Sequence, residues 1–136
     1  MRYLAIDYGN KRTGLAICDS GETIASPLAV IEGQKQLLTA ILQILRDEQV
    51  EAVVVGLPLN MDGSEGPQAQ VVRKFADRLK NHVKIPVQFQ DERLSSFGAR
   101  DKLAPADFTR RKKNKRLDAV AAAEILDAFL GAKREQ

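Results

Sequence analysis

Near its start the chain reads Leu4-Ala5-Ile6-Asp7-Tyr8-Gly9-Asn10-Lys11-Arg12-Thr13-Gly14, and this run sets the architecture. Its apolar residues predict a buried first strand that ends in the carboxylate of Asp7. Burial of an ionised carboxylate is unfavourable unless positive charge meets it. The glycine-bounded turn that follows predicts a hairpin into a second strand. An acid at this place indicates a metal or phosphate site, and the alternative is an aspartate that only closes the turn.

Outward from this hairpin, the spacing of apolar residues predicts the other elements of the first 90 residues. Strands are expected over residues 2–8, 13–18 and 23–31, joined into an antiparallel meander, with Pro27 indicating an edge strand or a bulge. Apolar residues at helical spacing predict helices over about 34–48 and 67–81. Short apolar runs at 52–56 and 85–90 predict two further strands, the first of them buried on both faces.

The last third of the chain is expected to be helical, with a loop in the middle. A short helix is predicted over 96–103, then a basic loop, then an alanine-rich helix over 117–132. The order βββαβαβαα predicts a single α/β domain over residues 1–136. Its mixed five-stranded sheet would join three antiparallel strands to parallel ones, with helices on both faces.

Length, charge and cysteine content bound the class of protein. The chain has 136 residues and a net charge of +3, and Cys18 is its only cysteine. A lone cysteine in a predicted strand is typical of a buried side chain in a reducing compartment. No apolar run has the length that crosses a bilayer, and no leader precedes the first strand. These features predict a soluble cytoplasmic protein with no membrane partner, and a monomer, since no dimer surface is evident.

Acids stand at the ends of predicted elements in three places. Asp7 ends the first strand, Asp91 and Glu92 end the fifth, and Asp118 opens the last helix. Sites form at the carboxyl ends of parallel strands, and like charges gathered there require a cation. The expected cation is Mg²⁺ or Mn²⁺, since both prefer oxygen ligands. Two such ions activate a water and stabilise the leaving oxygen of a phosphodiester.

Each acid also has a plainer interpretation. Asp118 could be a first-turn acid that the helix dipole favours. One member of the Asp91-Glu92 pair could bind Arg93 or cap the next helix. Counting residues along the strand does not decide which of the two enters a site.

A block of basic residues lies between the predicted last two helices. Such a block repels itself and cannot be core, so it predicts a loop that holds a phosphate backbone, or simply a solvated charged loop. Its members within seven positions are Arg110, Arg111, Lys112, Lys113, Lys115 and Arg116.

Four segments together resemble the YqgF family, also called RuvX. They are Asp7-Tyr8-Gly9-Asn10-Lys11-Arg12-Thr13-Gly14, Gly56-Leu57-Pro58-Leu59-Asn60-Met61-Asp62-Gly63-Ser64, Asp91-Glu92-Arg93-Leu94-Ser95-Ser96 and Asp118-Ala119-Val120-Ala121-Ala122. The resemblance implies an RNase H-like fold related to RuvC Holliday-junction resolvases. It also implies a nuclease that matures the 5′ end of pre-16S rRNA. By position, it makes Asp7, Glu92 and Asp118 the metal-binding catalytic acids, holding one or two ions, and it favours Glu92 over Asp91.

Several further residues are candidates for substrate binding. The loop that contains Asn60, Gly63 and Ser64 offers backbone N–H groups that could approach a phosphate; the alternative is an ordinary long loop. The first turn contributes Asn10, Lys11 and Arg12, and Arg93 follows the fifth strand.

The last helix departs from the resolvase pattern. RuvC-type sites resemble a four-acid arrangement with two aspartates one turn apart, whereas Ala121 stands one turn after Asp118. Glu124 and Asp127 are expected to lie too far along the helix. A three-acid site could hold one ion firmly and the second only with substrate.

Three other functions stay open. The same chemistry could act on branched DNA, because phosphate contacts carry no sequence information. The start of the chain also resembles the first phosphate loop of actin-like ATPases, although these need a second lobe. A non-catalytic ribosome-assembly or transcription-associated module would need the positive charge but not the acids.

Overall fold

The computed structural model describes residues 1–92 and 110–135, and it describes side chains from residue 118 onward in the second range. Five strands and three helices are present in these ranges. The strands are β1 (Tyr3–Asp7), β2 (Arg12–Cys18), β3 (Ala25–Glu32), β4 (Ala52–Leu57) and β5 (Val87–Asp91), and the helices are α1 (Leu37–Asp47), α2 (Pro67–Lys80) and α3 (Arg110–Arg134).

The strands form one mixed sheet in the order β3-β2-β1-β4-β5. Strands β1, β2 and β3 pair antiparallel, whereas β4 pairs parallel with β1 and with β5. The predicted mixed five-stranded sheet is therefore confirmed. Strand β4 is buried along its whole length, as its apolar run predicts.

Helices cover both faces of the sheet, as predicted. Leu4 and Ile6 pack with α1 and α2 in one apolar cluster. Tyr3 and Ala5 pack in a second cluster with the buried residues of α3. Because successive side chains of a strand point to opposite faces, β1 contributes to both halves of the core, as do β2 and β4.

Proline has the effects predicted at two positions. Pro67 opens α2, where its missing N–H leaves no helical hydrogen bond unmade. Pro27 lies in β3, an edge strand, and the register between β2 and β3 shifts at Ala16, its partner. Cys18 is buried, as expected.

The last helix differs from the prediction. It begins at Arg110, so the segment 110–116, called the basic segment below, is helical, and the predicted loop there is wrong. Arg and Lys are good helix formers, which lets the helix continue through residues that have no apolar periodicity. The short helix predicted over 96–103 lies outside the described residues. None of the helices in the described ranges is long and apolar enough to cross a membrane.

Candidate active site

Asp7 ends β1 and stands between two glycines of the neighbouring strands. Gly14 of β2 is its partner in the antiparallel ladder. Gly56 of β4 is its neighbour when the register of the parallel pair is continued by one residue. The alternation of side chains turns Asp7 toward the face that α3 covers. One carboxylate therefore lies at the end of the central strand, with a small residue on each side.

Gly14 lets α3 lie directly on β2. A Cβ atom at this position would overlap the backbone carbonyl of Asp118 and come within 3.0 Å of the nitrogen of Ala119. Glycine in a strand interior often marks such a close approach of another backbone. The contact brings Asp118 to the end of the sheet where Asp7 lies, and Asp118 is only 9% exposed.

Arg12 and Asp118 form an ion pair inside this site. The Nε atom of Arg12 donates to Oδ2 of Asp118 at 3.1 Å. The two side chains are 25% and 13% exposed, so water screens the pair only in part. The pair borders a cavity of about 160 Å³, whose lining residues are Asp7, Tyr8, Gly9, Arg12, Pro58, Gln68 and Asp118.

The start of α3 rules out the interpretation of Asp118 as a first-turn acid that the helix dipole favours. Asp118 lies eight residues after Arg110, the first residue of the helix. The helix dipole acts mainly within the first turn. Asp118 is therefore not a first-turn acid, and its position is set by packing on Gly14 and by Arg12.

Glu92 lies over Gly56, on the same face of the sheet as Asp7. A Cβ atom at Gly56 would stand 2.8 Å from both Cδ and Oε1 of Glu92. Asp91 pairs with Leu57 and shares the opposite face with Phe89, which packs on the cluster that α1 and α2 cover. The pleat of β5 therefore places the two acids on opposite faces of the sheet. Glu92 lies on the face that carries Asp7.

The donor atoms of these residues suit a hard divalent ion, because all are carboxylate oxygens. Over the ranges 1–92 and 110–135, however, no three His, Cys, Asp or Glu side chains are gathered closely enough to hold one ion. One positive group that meets Asp118 is the guanidinium of Arg12. The acids thus share one end and one face of the sheet without forming a closed ligand cluster.

The rest of α3 adds no acid close to Asp118. Ala121 follows it by about one turn and is buried. Asp127 is exposed, and it lies nine residues further on, about 14 Å along the helix axis. Glu124 is six residues away, at about 9 Å. Of the acids in the described part of α3, Asp118 alone lines the cavity.

The loop after β4 is held by its own side chains. Asn60 donates through Nδ2 to Oγ of Ser64 at 2.9 Å, and both the N–H and the hydroxyl of Ser64 donate to Asp62. The N–H of Gly63 donates to the carbonyl of Asn60. These donors maintain the shape of the loop, and Met61 stands at its tip with 76% exposure.

The remaining candidates for substrate binding lie in two segments and at Arg93. Asn10 and Lys11 are exposed in the turn between β1 and β2, where Gln34 holds the carbonyl of Asn10. The basic segment forms the first turns of α3, and its side chains lie outside the described residues, as does Arg93. Among the predicted cations whose side chains the structure describes, Arg12 is the one that pairs with an acid of the site.

Residues that the sequence analysis did not single out also line the cavity. Gln68 is the second residue of α2, so the amino end of that helix borders the site. Tyr8 stacks on Phe75, with ring centroids 4.5 Å apart. Their positions come from the docking of α2, which no local pattern reveals. A signal for Gly14 and Gly56 exists in the sequence, since each is a glycine inside a predicted strand.

Comparison with known proteins identifies the family of the chain. A family model described as "RuvX: Holliday junction resolvase" matches residues 1–132. The chain belongs to the RuvX family. A curated relative of this RuvX-family chain, from Anaeromyxobacter sp. (strain Fw109-5), is named "Putative pre-16S rRNA nuclease". It is 44% identical over 135 residues, which are 98% of each chain.

Solved structures show that the RuvX-family fold is the RNase H-like fold of RuvC resolvases. T. thermophilus RuvC in complex with a Holliday junction substrate aligns with a TM-score of 0.61 and 18% identity, over 98% of this chain and 96% of that one. The fowlpox virus Holliday junction resolvase aligns with a TM-score of 0.55 and 15% identity, over 97% and 99%. These likenesses establish the fold.

Proposed function

We propose that this protein is a divalent-metal-dependent nuclease that hydrolyses phosphodiester bonds and matures the 5′ end of pre-16S rRNA in the cytoplasm. The observation that carries the proposal is one cavity lined by Asp7, Arg12 and Asp118, with Glu92 on the same face of the sheet. The pre-16S rRNA substrate is taken from the names of the curated relatives.

Asp7, Glu92 and Asp118 would hold Mg²⁺ or Mn²⁺, as one ion or as two. A divalent ion bound there supplies Lewis acidity that activates water and stabilises charge on the phosphate. The chain itself supplies the arrangement: Asp7 from the end of the central strand, Asp118 from a helix that lies on Gly14, and Glu92 from a seat on Gly56.

Arg12 would have two tasks in this site. Before an ion is bound, its guanidinium balances the charge of Asp118, with which it is paired. Once a phosphate enters the cavity, the same guanidinium is close enough to stabilise negative charge on the reacting group. The amino end of α2, at Gln68, adds the positive end of a helix dipole to the same cavity.

The nucleic-acid backbone would be held by further polar and basic residues. Asn10 and Lys11 in the exposed turn, Arg93, and the basic segment supply contacts that carry no base specificity. The loop of Asn60, Gly63 and Ser64 would contact the substrate as a preformed unit, because its donors already fix its shape. Met61 at its tip then offers an apolar surface to a base.

The test is cleavage of an end-labelled RNA that spans the 5′ precursor region of 16S rRNA, with and without Mn²⁺. In Asp7→Asn, we expect a loss of cleavage of about 10²–10³-fold or more, as when a main source of transition-state stabilisation is removed. Asp127→Asn is the matched control, because it removes an exposed acid of α3. Equal Mn²⁺-dependent cleavage by Asp7→Asn and the wild-type protein would overturn the proposal.

A second candidate is cleavage of branched DNA. The observation that favours it is the fold shared with a RuvC structure that contains a Holliday junction. A four-way DNA junction tested beside the RNA decides between the two substrates. If neither is cleaved while RNA is still bound tightly, and if Asp7→Asn keeps the protein's cellular role, the non-catalytic assembly or transcription-associated function replaces both.

A further inference from the structure

Gly56 is an unusual residue for its position. It lies in a strand that is buried along its whole length and otherwise contains only Ala, Val and Leu. Glycine in a strand interior weakens the strand, because it adds backbone entropy to the unfolded chain and packs no side chain. Its presence in the most apolar strand of the sheet therefore has a local cause.

The space above Gly56 is filled by two side chains from elsewhere. A Cβ atom at this position would stand 2.8 Å from Cδ and Oε1 of Glu92, and 2.6 Å from Cδ1 of Ile125. The Oε1 atom of Glu92 is itself buried. The carboxyl group of Glu92 therefore occupies the place that a side chain at residue 56 would take.

Gly14, on the other side of Asp7, has a different kind of neighbour. A Cβ atom there would overlap the backbone of Asp118 and approach that of Ala119. Backbone cannot yield without moving the whole helix, whereas the ends of Glu92 and Ile125 can rotate away. Substitution of Gly14 therefore tests the docking of α3 on the sheet. Substitution of Gly56 tests the position of the Glu92 carboxylate.

We propose that Gly56 is a positioning residue. Because it has no side chain, the carboxylate of Glu92 can pack directly on its backbone, beside Asp7. This inference rests on the proposed metal-binding role of Glu92. A methyl group at residue 56 displaces the carboxylate by several tenths of an ångström or more. Metal and catalytic sites tolerate displacements of only about 0.5 Å, so the site loses a ligand while the sheet stays folded.

The variants that test this are Gly56→Ala and the double variant Gly56→Ala/Ile125→Val. Valine at residue 125 lacks the Cδ1 atom, so the double variant relieves the apolar overlap and leaves the overlap with Glu92. We measure the Mn²⁺ dissociation constant by titration calorimetry and the unfolding temperature in EDTA. The position of the carboxylate is read from crystal structures of the wild-type protein and both variants.

In both variants, we expect the carboxylate to be displaced and Mn²⁺ to bind about 10–100-fold more weakly, as when the support of a metal ligand is lost. The unfolding temperature recovers in the double variant, and Mn²⁺ affinity does not. Ile125→Val alone and Gly131→Ala, a glycine with open space around it, should keep wild-type affinity. An effect of packing alone would restore affinity together with stability.

Two results separate this inference from the proposed function. If Glu92→Gln loses Mn²⁺ binding but Gly56→Ala keeps it, Gly56 has no positioning role and the metal site stands. If the wild-type protein binds no Mn²⁺, the proposed site fails, and the crystal structures still decide whether residue 56 sets the position of Glu92. An unmoved carboxylate in Gly56→Ala would overturn the inference outright.

Discussion

Two of the attachments of helix α3 are made by different kinds of contact. Near its carboxyl end, Lys133 donates to Glu22 at 2.8 Å and to the hydroxyl of Tyr3 at 2.9 Å. Nearer its start, the backbone of Asp118 lies directly on Gly14, and its side chain pairs with Arg12 at 3.1 Å. The first attachment is made by charged side chains at the surface, and the second by close packing and a largely buried charge.

The two ion pairs differ in how strongly solvent screens them. The side chains of Lys133 and Glu22 are 40% and 25% exposed, so water and salt screen their attraction. Asp118 and Arg12 are more buried, and loss of either partner leaves a charge in a poorly solvated place. The surface pair of Lys133 and Glu22 can therefore be altered at small cost, whereas the pair of Arg12 and Asp118 cannot. Three changes test this contrast.

The largest effect on stability is expected from Gly14→Ala. The added methyl group meets the backbone of Asp118, and overpacking of this kind typically destabilises by about 1–3 kcal/mol, here at the upper end. Urea unfolding measures the change. Gly131→Ala, in α3, is the control, and it should stabilise the protein by about 1 kcal/mol because alanine favours the helix. A Gly14→Ala protein as stable as the wild type would show that the helix does not depend on this contact.

An intermediate effect is expected from Arg12→Gln. Removal of the charged partner of buried Asp118 should destabilise the protein by about 1–3 kcal/mol. If the ion takes over the charge of Arg12, Mn²⁺ should raise the unfolding temperature more in this variant than in the wild-type protein. Lys11→Gln, the exposed neighbour, should change neither quantity. Equal stabilisation of both proteins by Mn²⁺ would mean that Arg12 and the ion do not compete for Asp118.

The smallest effect is expected from Glu22→Gln, and it depends on pH. The hydrogen bond from Lys133, with help from the amino-terminal ammonium group, lowers the pKa of Glu22 below its ordinary value of 4.5. A carboxyl group whose pKa is lowered on folding stabilises the protein above the ordinary value, and this contribution is lost as pH falls through the folded pKa. The variant should therefore unfold at a slightly lower temperature than the wild-type protein at about pH 6. It should also lose less stability on acidification.

Asp19, in the turn after β2, adds to the loss of stability in acid. The hydroxyl of Thr23 and the backbone N–H groups of Ile24 and Thr23 lower the pKa of Asp19 to about 2. Thermal unfolding followed between about pH 6 and pH 2 measures both groups. Asp127→Asn, which removes an exposed acid of α3, is the control. If Glu22→Gln loses as much stability in acid as the wild-type protein, the pair with Lys133 does not act at this end of the helix.

Much of the fold follows from local patterns. The apolar run before Asp7, the wholly apolar run of β4 and the helical spacing in α1 and α2 each predict an element that the structure contains. The predicted start of α3 is wrong, because a run of Arg and Lys has no apolar period and yet has high helix propensity. Its helical start changes the environment of Asp118 from the first turn of a helix to the middle of one.

The candidate acids could be selected from the sequence, but their geometry could not. Position at strand ends and resemblance to a family single out Asp7, Glu92 and Asp118. The pairing of Asp118 with Arg12, and the seats on Gly14 and Gly56, involve residues more than 35 positions apart in the chain. Contacts of this kind leave no periodic signal, so no window along the sequence contains them.

The sequence alone determined where the five strands, α1 and α2 lie, since the spacing of apolar residues reflects the pleat and the helical turn. It also determined which acids stand at strand ends. The tertiary structure alone decided that Glu92 rather than Asp91 shares a face with Asp7. The pleat sets the two acids on opposite faces, but only the docking of α3 on Gly14 defines which face carries the site.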